Sequence, residues 1–432
     1  MMREGREARS SHAPLIPPAL TRSFVGLLAV GVLAFLAGLL VDPARAWQIY
    51  LVNFLFWSGL AQGAVVFAAI YHVVGAQWGP PIRRLAEGMV AFLPVSLVLF
   101  LPLFFGLGLF FARVQELNPE RGAWFDARFI FVRGGLGLGS MTVLSLLFVY
   151  YALRPEIGAA LARGGTSGGW LSRSLAEGWQ GEPLEIERSE RGMDVLAAGV
   201  LLAYSITYSF MAFDLIMALD PFWYSSLFGG YFFVSTFYLG LAGLTVVAAL
   251  TRRYLGIPDI TSTHFWDLGK LLFGFTLTYM AMVWSQYIVI WYGNLPEETH
   301  FVVLRVWERP WAALSWSVLF ATFFIPGVVF LSRRAKQTPS IMLSVGILIA
   351  AGLWLERYVL VVPSLWHGEG VPFGWLEIGV TAGFLGAAGL SYLFFLRNFP
   401  LSPRVRTPVS PVESHRGENA TPAIPHGRGA GS

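Results

Sequence analysis

The chain has 432 residues, of which 55% are hydrophobic and only 13% charged. A soluble domain carries about 25% charged residues, so this chain has too little polar surface to face water, and the composition is that of an integral membrane protein. The net charge of +4 is mostly arginine, because lysine occurs only at Lys270 and Lys336; in such a chain it reports topology, and nucleic-acid binding has no support.

There is no cysteine. That excludes disulfides, iron–sulfur ligation and covalent haem attachment, and it removes the commonest zinc ligand. Of the seven histidines, only His72 and His264 lie near apolar runs, both close to span ends. No metal site is expected. If the protein works in redox chemistry, the metal centres belong to partners.

About 20 apolar residues cross a bilayer as a helix. In chain order, ten segments qualify: 23–41, 48–74, 88–112, 134–154, 194–219, 224–250, 265–292, 311–332, 339–363 and 375–397. They are apolar on all sides rather than alternating, which favours helices over barrel strands. "ARA" at Ala44 to Ala46 resembles a signal-peptide cleavage site, but the preceding apolar run is longer than the usual ~7–15 residues, and we read it as an uncleaved first span. Pro94 and Pro102 should kink the third span. Small residues four apart, Gly135 with Gly139 and Gly379 with Gly383, let helices pack closely.

The expected organisation is a cytoplasmic segment 1–22, spans one to four over 23–154, a cytoplasmic linker 155–191, spans five to ten over 192–398, and a disordered cytoplasmic tail 399–432 rich in Pro, Ser, Gly and Arg. One side of the membrane would carry 21 Lys and Arg and the other 8. The positive-inside rule then puts both termini in the cytoplasm, as ten spans require.

Ionisable groups in hydrocarbon are costly, so each asks for a reason. In the second span, Asn53, Gln62 and His72 descend from the outer to the inner side; Asn and Gln commonly bond between helices. Asp214 lies near the outer end of the fifth span. Either it brackets the membrane with Asp194, or it needs a partner or a proton. His264, Asp267 and Lys270 repeat three residues apart at the inner end of the seventh span, behind Thr261, Ser262 and Thr263 as candidate N-caps. They make either a capped helix with an interfacial ion pair or the mouth of a proton path. Gln286 lies further along the same helix. Glu356 stands inside the ninth span beside Arg357, about 100° around the helix. The arginine either snorkels outward or pairs with another helix, and the carboxylate is either structural or faces a proton or quinone. Outside the membrane, Asp220, Trp223 and Tyr224, with Glu297 and Glu298, make an aromatic belt or a docking surface for a peripheral subunit.

The stretches "FMAFDLIMALDPFWYSSLFGGYFF" (210–233) and "HFWDLGKLLFGFTLTYMAMVWSQYIVIWYGNLPEETHF" (264–301) resemble the ActF-like membrane subunits of bacterial alternative complex III, within the NrfD or polysulfide-reductase-like membrane family. The specific likeness covers spans five to eight; the remainder matches mainly in layout. Asp214 and Asp220-Pro221 match the family's acidic segment, and His264, Asp267, Lys270, Gln286 and Glu297-Glu298 match the second stretch. Glu356 and Arg357 fit its pattern of buried polar groups but lie outside the specific match.

The resemblance implies a ten-helix fold of two four-helix bundles plus two flanking helices, in the bacterial inner membrane. It implies a quinol:electron-acceptor oxidoreductase complex feeding a cytochrome c or an oxidase. The partners would be a homologous ActC-like membrane subunit, a periplasmic iron–sulfur subunit and multihaem cytochrome c subunits, so haem and iron–sulfur clusters sit outside this chain. No cofactor would be covalently bound; a quinone such as menaquinone, or a lipid, is the implied small molecule. This subunit's implied role is supporting, with proton translocation as a further one. Two alternatives remain open on the residues: it is the quinol-binding subunit itself, or an independent proton-coupled secondary transporter.

Overall fold

A computed structural model describes residues 16–117, 124, 126–162, 170–255 and 259–399. Among them every regular element is helical. In chain order these are α1 (Pro18–Val41), α2 (Pro43–Val73), α3 (Pro80–Gly88), α4 (Leu93–Phe100), α5 (Leu103–Leu117), α6 (Ala127–Ala162), α7 (Trp170–Leu175) and α8 (Glu182–Leu215). The second half holds α9 (Phe228–Leu255), α10 (Ser262–Gly293), α11 (Pro296–Val306), α12 (Trp311–Leu319), α13 (Ile325–Leu331), α14 (Arg333–Gln337), α15 (Pro339–Leu365) and α16 (Trp375–Asn398). Nine helical segments among the described residues are long and apolar enough to cross a membrane, or ten if the bent α3–α5 run is one span. The tail from residue 400 and the first 15 residues lie outside the described ones.

Proline and short polar caps set the starts. α2, α3, α8, α11 and α15 each carry proline in the first turn, where the missing N–H has no helical partner to lose. Asp42 alone joins α1 to α2, and its carboxylate accepts from the Arg45 amide at 3.1 Å. The run from Pro80 to Phe111 bends by 57° at residues 101–102, where Pro102 was expected to kink it. Two segments read as loops are helical. α6 runs through Pro155 to Ala162 and α8 starts at Glu182, so much of 155–191 extends the helices beside it. Between α10 and α12, α11 begins at Pro296.

Prolines inside long helices leave a carbonyl four residues earlier without its donor. Each of three such carbonyls is met by a side chain from another element. Pro155 frees the Tyr151 carbonyl, which accepts from the Ser189 hydroxyl of α8. Pro326 frees the Thr322 carbonyl, which accepts from Tyr238 Oη of α9 at 2.9 Å, beside a π-helical turn at Phe320–Phe324. Pro363 frees the Val359 carbonyl, which accepts from Arg305 Nε of α11 at 3.0 Å.

α2 is the central helix, with 83% of its most apolar window buried, and it packs against α1, α8, α9, α15 and α16. A Cβ on Gly63 would fall 2.5 Å from the Thr236 carbonyl oxygen, so glycine there lets α2 and α9 touch. Gly379 and Gly383 meet Ala34 and Gly31 of α1, whereas Gly139 meets no neighbouring helix. α10, by contrast, has only 17% of its apolar window buried. We call the end where α8, α10 and α15 begin the near end, and the other the far end.

Candidate functional site

α15 carries Glu356 seventeen residues past its first, Pro339, between stretches of Leu, Trp and Val. The carboxylate is buried, 4% exposed, and Arg357 beside it is fully buried. Arg357 does not snorkel. Its guanidinium folds back so that Nη1 donates to Glu356 Oε2. Nη2 donates to Ser235 Oγ at 2.7 Å and Thr236 Oγ1 at 3.3 Å on α9. Two tyrosines converge on the other carboxylate oxygen: Tyr231 of α9, and Tyr279 of α10 at 3.1 Å. Three helices therefore hold one ion pair. A second polar contact lies beside it, where Tyr238 Oη and Thr276 Oγ1 are 2.8 Å apart.

Glu356, Tyr231 and Tyr279 form one wall of a cavity of about 480 Å³ toward the far end. That volume suits a small organic ligand. The remaining walls are largely aromatic and aliphatic, with Trp223, Phe301, Trp307 and Trp316 among them, and Gln286, Tyr287, Arg305 and Ser315 adding polar atoms. Arg305 braces the cavity. Besides Val359 it donates to the Phe301 carbonyl at 3.1 Å, the Leu360 carbonyl at 3.2 Å and Ser364 Oγ at 2.6 Å. Burial works against its charge and Asp220 works in favour, and a guanidinium stays charged at neutral pH. Two polar atoms on cavity-lining residues are buried and unpartnered, Nε1 of the buried Trp223 and Oγ of the half-buried Ser315. Trp223 is 4% exposed and stacks on Phe301 at 3.8 Å between ring centroids.

The other expected residues fall into separate places. Asp214 is buried and has a partner: Arg133 of α6 donates to it at 2.9 and 2.5 Å. Arg133 also lies over the rings of Trp124 and Phe129, at 4.1 and 4.7 Å. His264 caps α10, its Nδ1 accepting from the Thr261 amide at 3.0 Å. Asp267 pairs with Lys270 at 2.7 Å, and Lys270 is half exposed. His72 meets Asp194 at 2.8 Å at the near end. Gln286 does reach the cavity with Glu356. Of the docking-surface residues, Asp220 accepts from the Phe222 amide at 3.1 Å in a turn, Tyr224 is 59% exposed and Glu298 is half-buried. Trp223 is different: its stacking on Phe301 turns it inward to the cavity. The Glu297 side chain lies outside the described ones.

Sequence reasoning missed Tyr231, Tyr279, Ser235, Arg133 and Arg305. Further ion pairs join helices near the ends, Arg84 with Glu156, Arg154 with Glu185, and Arg45 with Glu377, and Arg84 also pairs with Glu87 within α3. Among the described residues no three His, Asp or Glu side chains converge as a metal site. The cavity is where a non-covalent cofactor would fit.

The architecture is that of a multi-pass helical membrane protein with a buried ion pair opening on an aromatic cavity. No known protein-family model matches the chain, and no curated protein matches it.

Proposed function

We propose that this chain is an integral membrane subunit of a quinol:electron-acceptor oxidoreductase complex of the alternative complex III kind, and that within it Glu356 exchanges protons. The observation that carries the reading is the Glu356–Arg357 pair, held deep in an apolar bundle by two tyrosines and reaching a cavity. Ionisable groups at such depth are costly and usually functional. Electron carriers then sit on partner subunits, an iron–sulfur protein and multihaem cytochromes, and a homologous membrane subunit stands alongside.

Native purification tests the assembly: the chain should migrate with haem- and iron–sulfur-bearing subunits. A lone protein that moves a labelled solute would replace this reading with a secondary transporter. For the proton role, Glu356→Gln should lower the proton-to-electron ratio more than it lowers the amount of assembled complex. An unchanged ratio would remove that role.

A second reading, that this subunit holds the quinol, is favoured by the unpartnered Trp223 Nε1 and Ser315 Oγ. A quinone headgroup has carbonyl oxygens that accept from such donors, and when bound as quinol it would supply electrons and protons. This chain's part would be to seat the ring among the aromatic walls, orient it through Trp223 and Ser315, and hold a proton at Glu356. Trp223→Phe with Ser315→Ala should weaken quinone binding to the purified complex by about tenfold for each 1.4 kcal/mol lost. Unaltered binding would assign the quinol to the partner membrane subunit.

A further inference from the structure

At the near end, away from the cavity, three cations gather on one indole ring. Trp266 lies in the first turns of α10. Lys336 Nζ stands 4.6 Å from its ring centroid, Arg333 Cζ 5.2 Å and Lys270 Nζ 5.6 Å. Lys336 Nζ is also 5.5 Å from the Phe273 ring. Among the described residues, the carboxylate bonded within the group is Asp267, on Lys270. Lys336 is 7% exposed and meets no carboxylate among the described residues. Its stem lies across Gly269, where a Cβ would fall 2.7 Å from Lys336 Cγ, so the sequence leaves a slot for it.

Taken alone, this arrangement is unfavourable. Like charges close together repel, a buried ammonium loses hydration, and the start of α10 adds a positive partial charge. Burial holds the Lys336 ammonium below the usual lysine value, and Lys270 lowers it further. The rings recover part of that cost through cation–π contact. Asp267 offsets Lys270 alone, which leaves Lys336 and Arg333 without a bonded carboxylate among the described residues, and a phosphate accepts charge-assisted hydrogen bonds from several donors at once.

The neighbouring surface says where the phosphate comes from. Val328 and Leu331 of α13, just ahead of Arg333 in the chain, are 69% and 72% exposed, and Leu277 of α10 is 48% exposed. α10 packs against α13 and α14. A cationic cluster that runs straight into bare apolar helix faces matches a molecule with a phosphate head and acyl chains. We propose that Lys336, Arg333 and Lys270 around Trp266 bind the headgroup of an anionic phospholipid, whose chains lie along the exposed faces of α13 and α10.

The test uses the full chain purified in detergent and stripped of lipid. Phosphatidylglycerol or cardiolipin should raise its thermal midpoint and remain bound in native mass spectra, whereas phosphatidylcholine should do neither. Lys336→Gln with Arg333→Gln should weaken retention of the anionic lipid by tenfold or more. Arg188→Gln with Arg191→Gln, an equal charge change at exposed positions of α8, should leave it intact. Should the double variant fail to fold, Lys270→Gln, at a half-exposed side chain, should still reduce retention severalfold. Equal retention by the cluster variants overturns the proposal. So does an equal effect of phosphatidylcholine. A midpoint shift reproduced by inorganic phosphate alone would replace the lipid with a free anion.

Discussion

Two acid–base pairs, Glu356 with Arg357 and Asp267 with Lys270, look alike in the sequence and differ in the folded chain. Both couple neighbours on one helix. Around Glu356 and Arg357, two other helices contribute two tyrosines, a serine and a threonine, and both charged side chains are buried. Around Asp267 and Lys270 the pair is local to α10 and half exposed at the lysine. What a charge pair does depends on the other helices that surround it, and sequence spacing does not carry that information.

The sharpest way to break the contrast is Arg357→Met. It strands a buried carboxylate without its counter-charge and should cost about 3–5 kcal/mol, read by unfolding in detergent. The double variant Glu356→Gln with Arg357→Met should recover most of that stability, because the charges leave together. If it also restored a normal proton-to-electron ratio, the pair would be structural only. Next comes Arg305→Met, which orphans the Val359 carbonyl that Pro363 leaves without a backbone donor. Leaving such buried acceptors unpaired should cost about 1–3 kcal/mol, together with loss of whatever binds in the cavity. Asp267→Asn should cost no more than about 0.5 kcal/mol, because an exposed i,i+3 pair is weak; a larger loss would mean that α10's start is structurally critical.

The smallest expected effect is on pH dependence. The folded Lys336 value lies below the ordinary one near 10.5, so as pH rises toward 10.5 the folded chain releases its proton before the unfolded chain does. The unfolded state then binds more protons and stability rises through that window. In lipid-stripped protein, a thermal midpoint measured against pH should show this modest alkaline gain, and Lys336→Gln should lack it.

The apolar runs and the bend at Pro102 were legible in the sequence, because each follows from local chemistry, and a partner for Asp214 was one of the alternatives it left open. The partners were not. Tyr231 and Tyr279 sit in long apolar runs where nothing local marks them; only the crossing of α9, α10 and α15 turns their hydroxyls onto Glu356. Arg133 stood just ahead of the fourth apolar run and read as a topology marker rather than as the mate of Asp214, 81 residues on. Trp223 read as an interfacial residue, and Phe301, its stacking partner, was hidden in a segment whose helix was not foreseen. One signal was available. Pro363 inside the ninth span predicts a carbonyl without a donor at Val359, and the short far-end connection carrying Arg305 had a cation to offer.

That arginine ties shape to occupancy. A helix interrupted by proline is pliable at the interruption, and here its pliable point is clamped from outside by a side chain that also forms the wall of a chamber. A guest molecule that displaced the guanidinium would unclamp α15 one turn beyond Glu356, so occupancy of the chamber and the seating of the buried carboxylate would meet at a single residue.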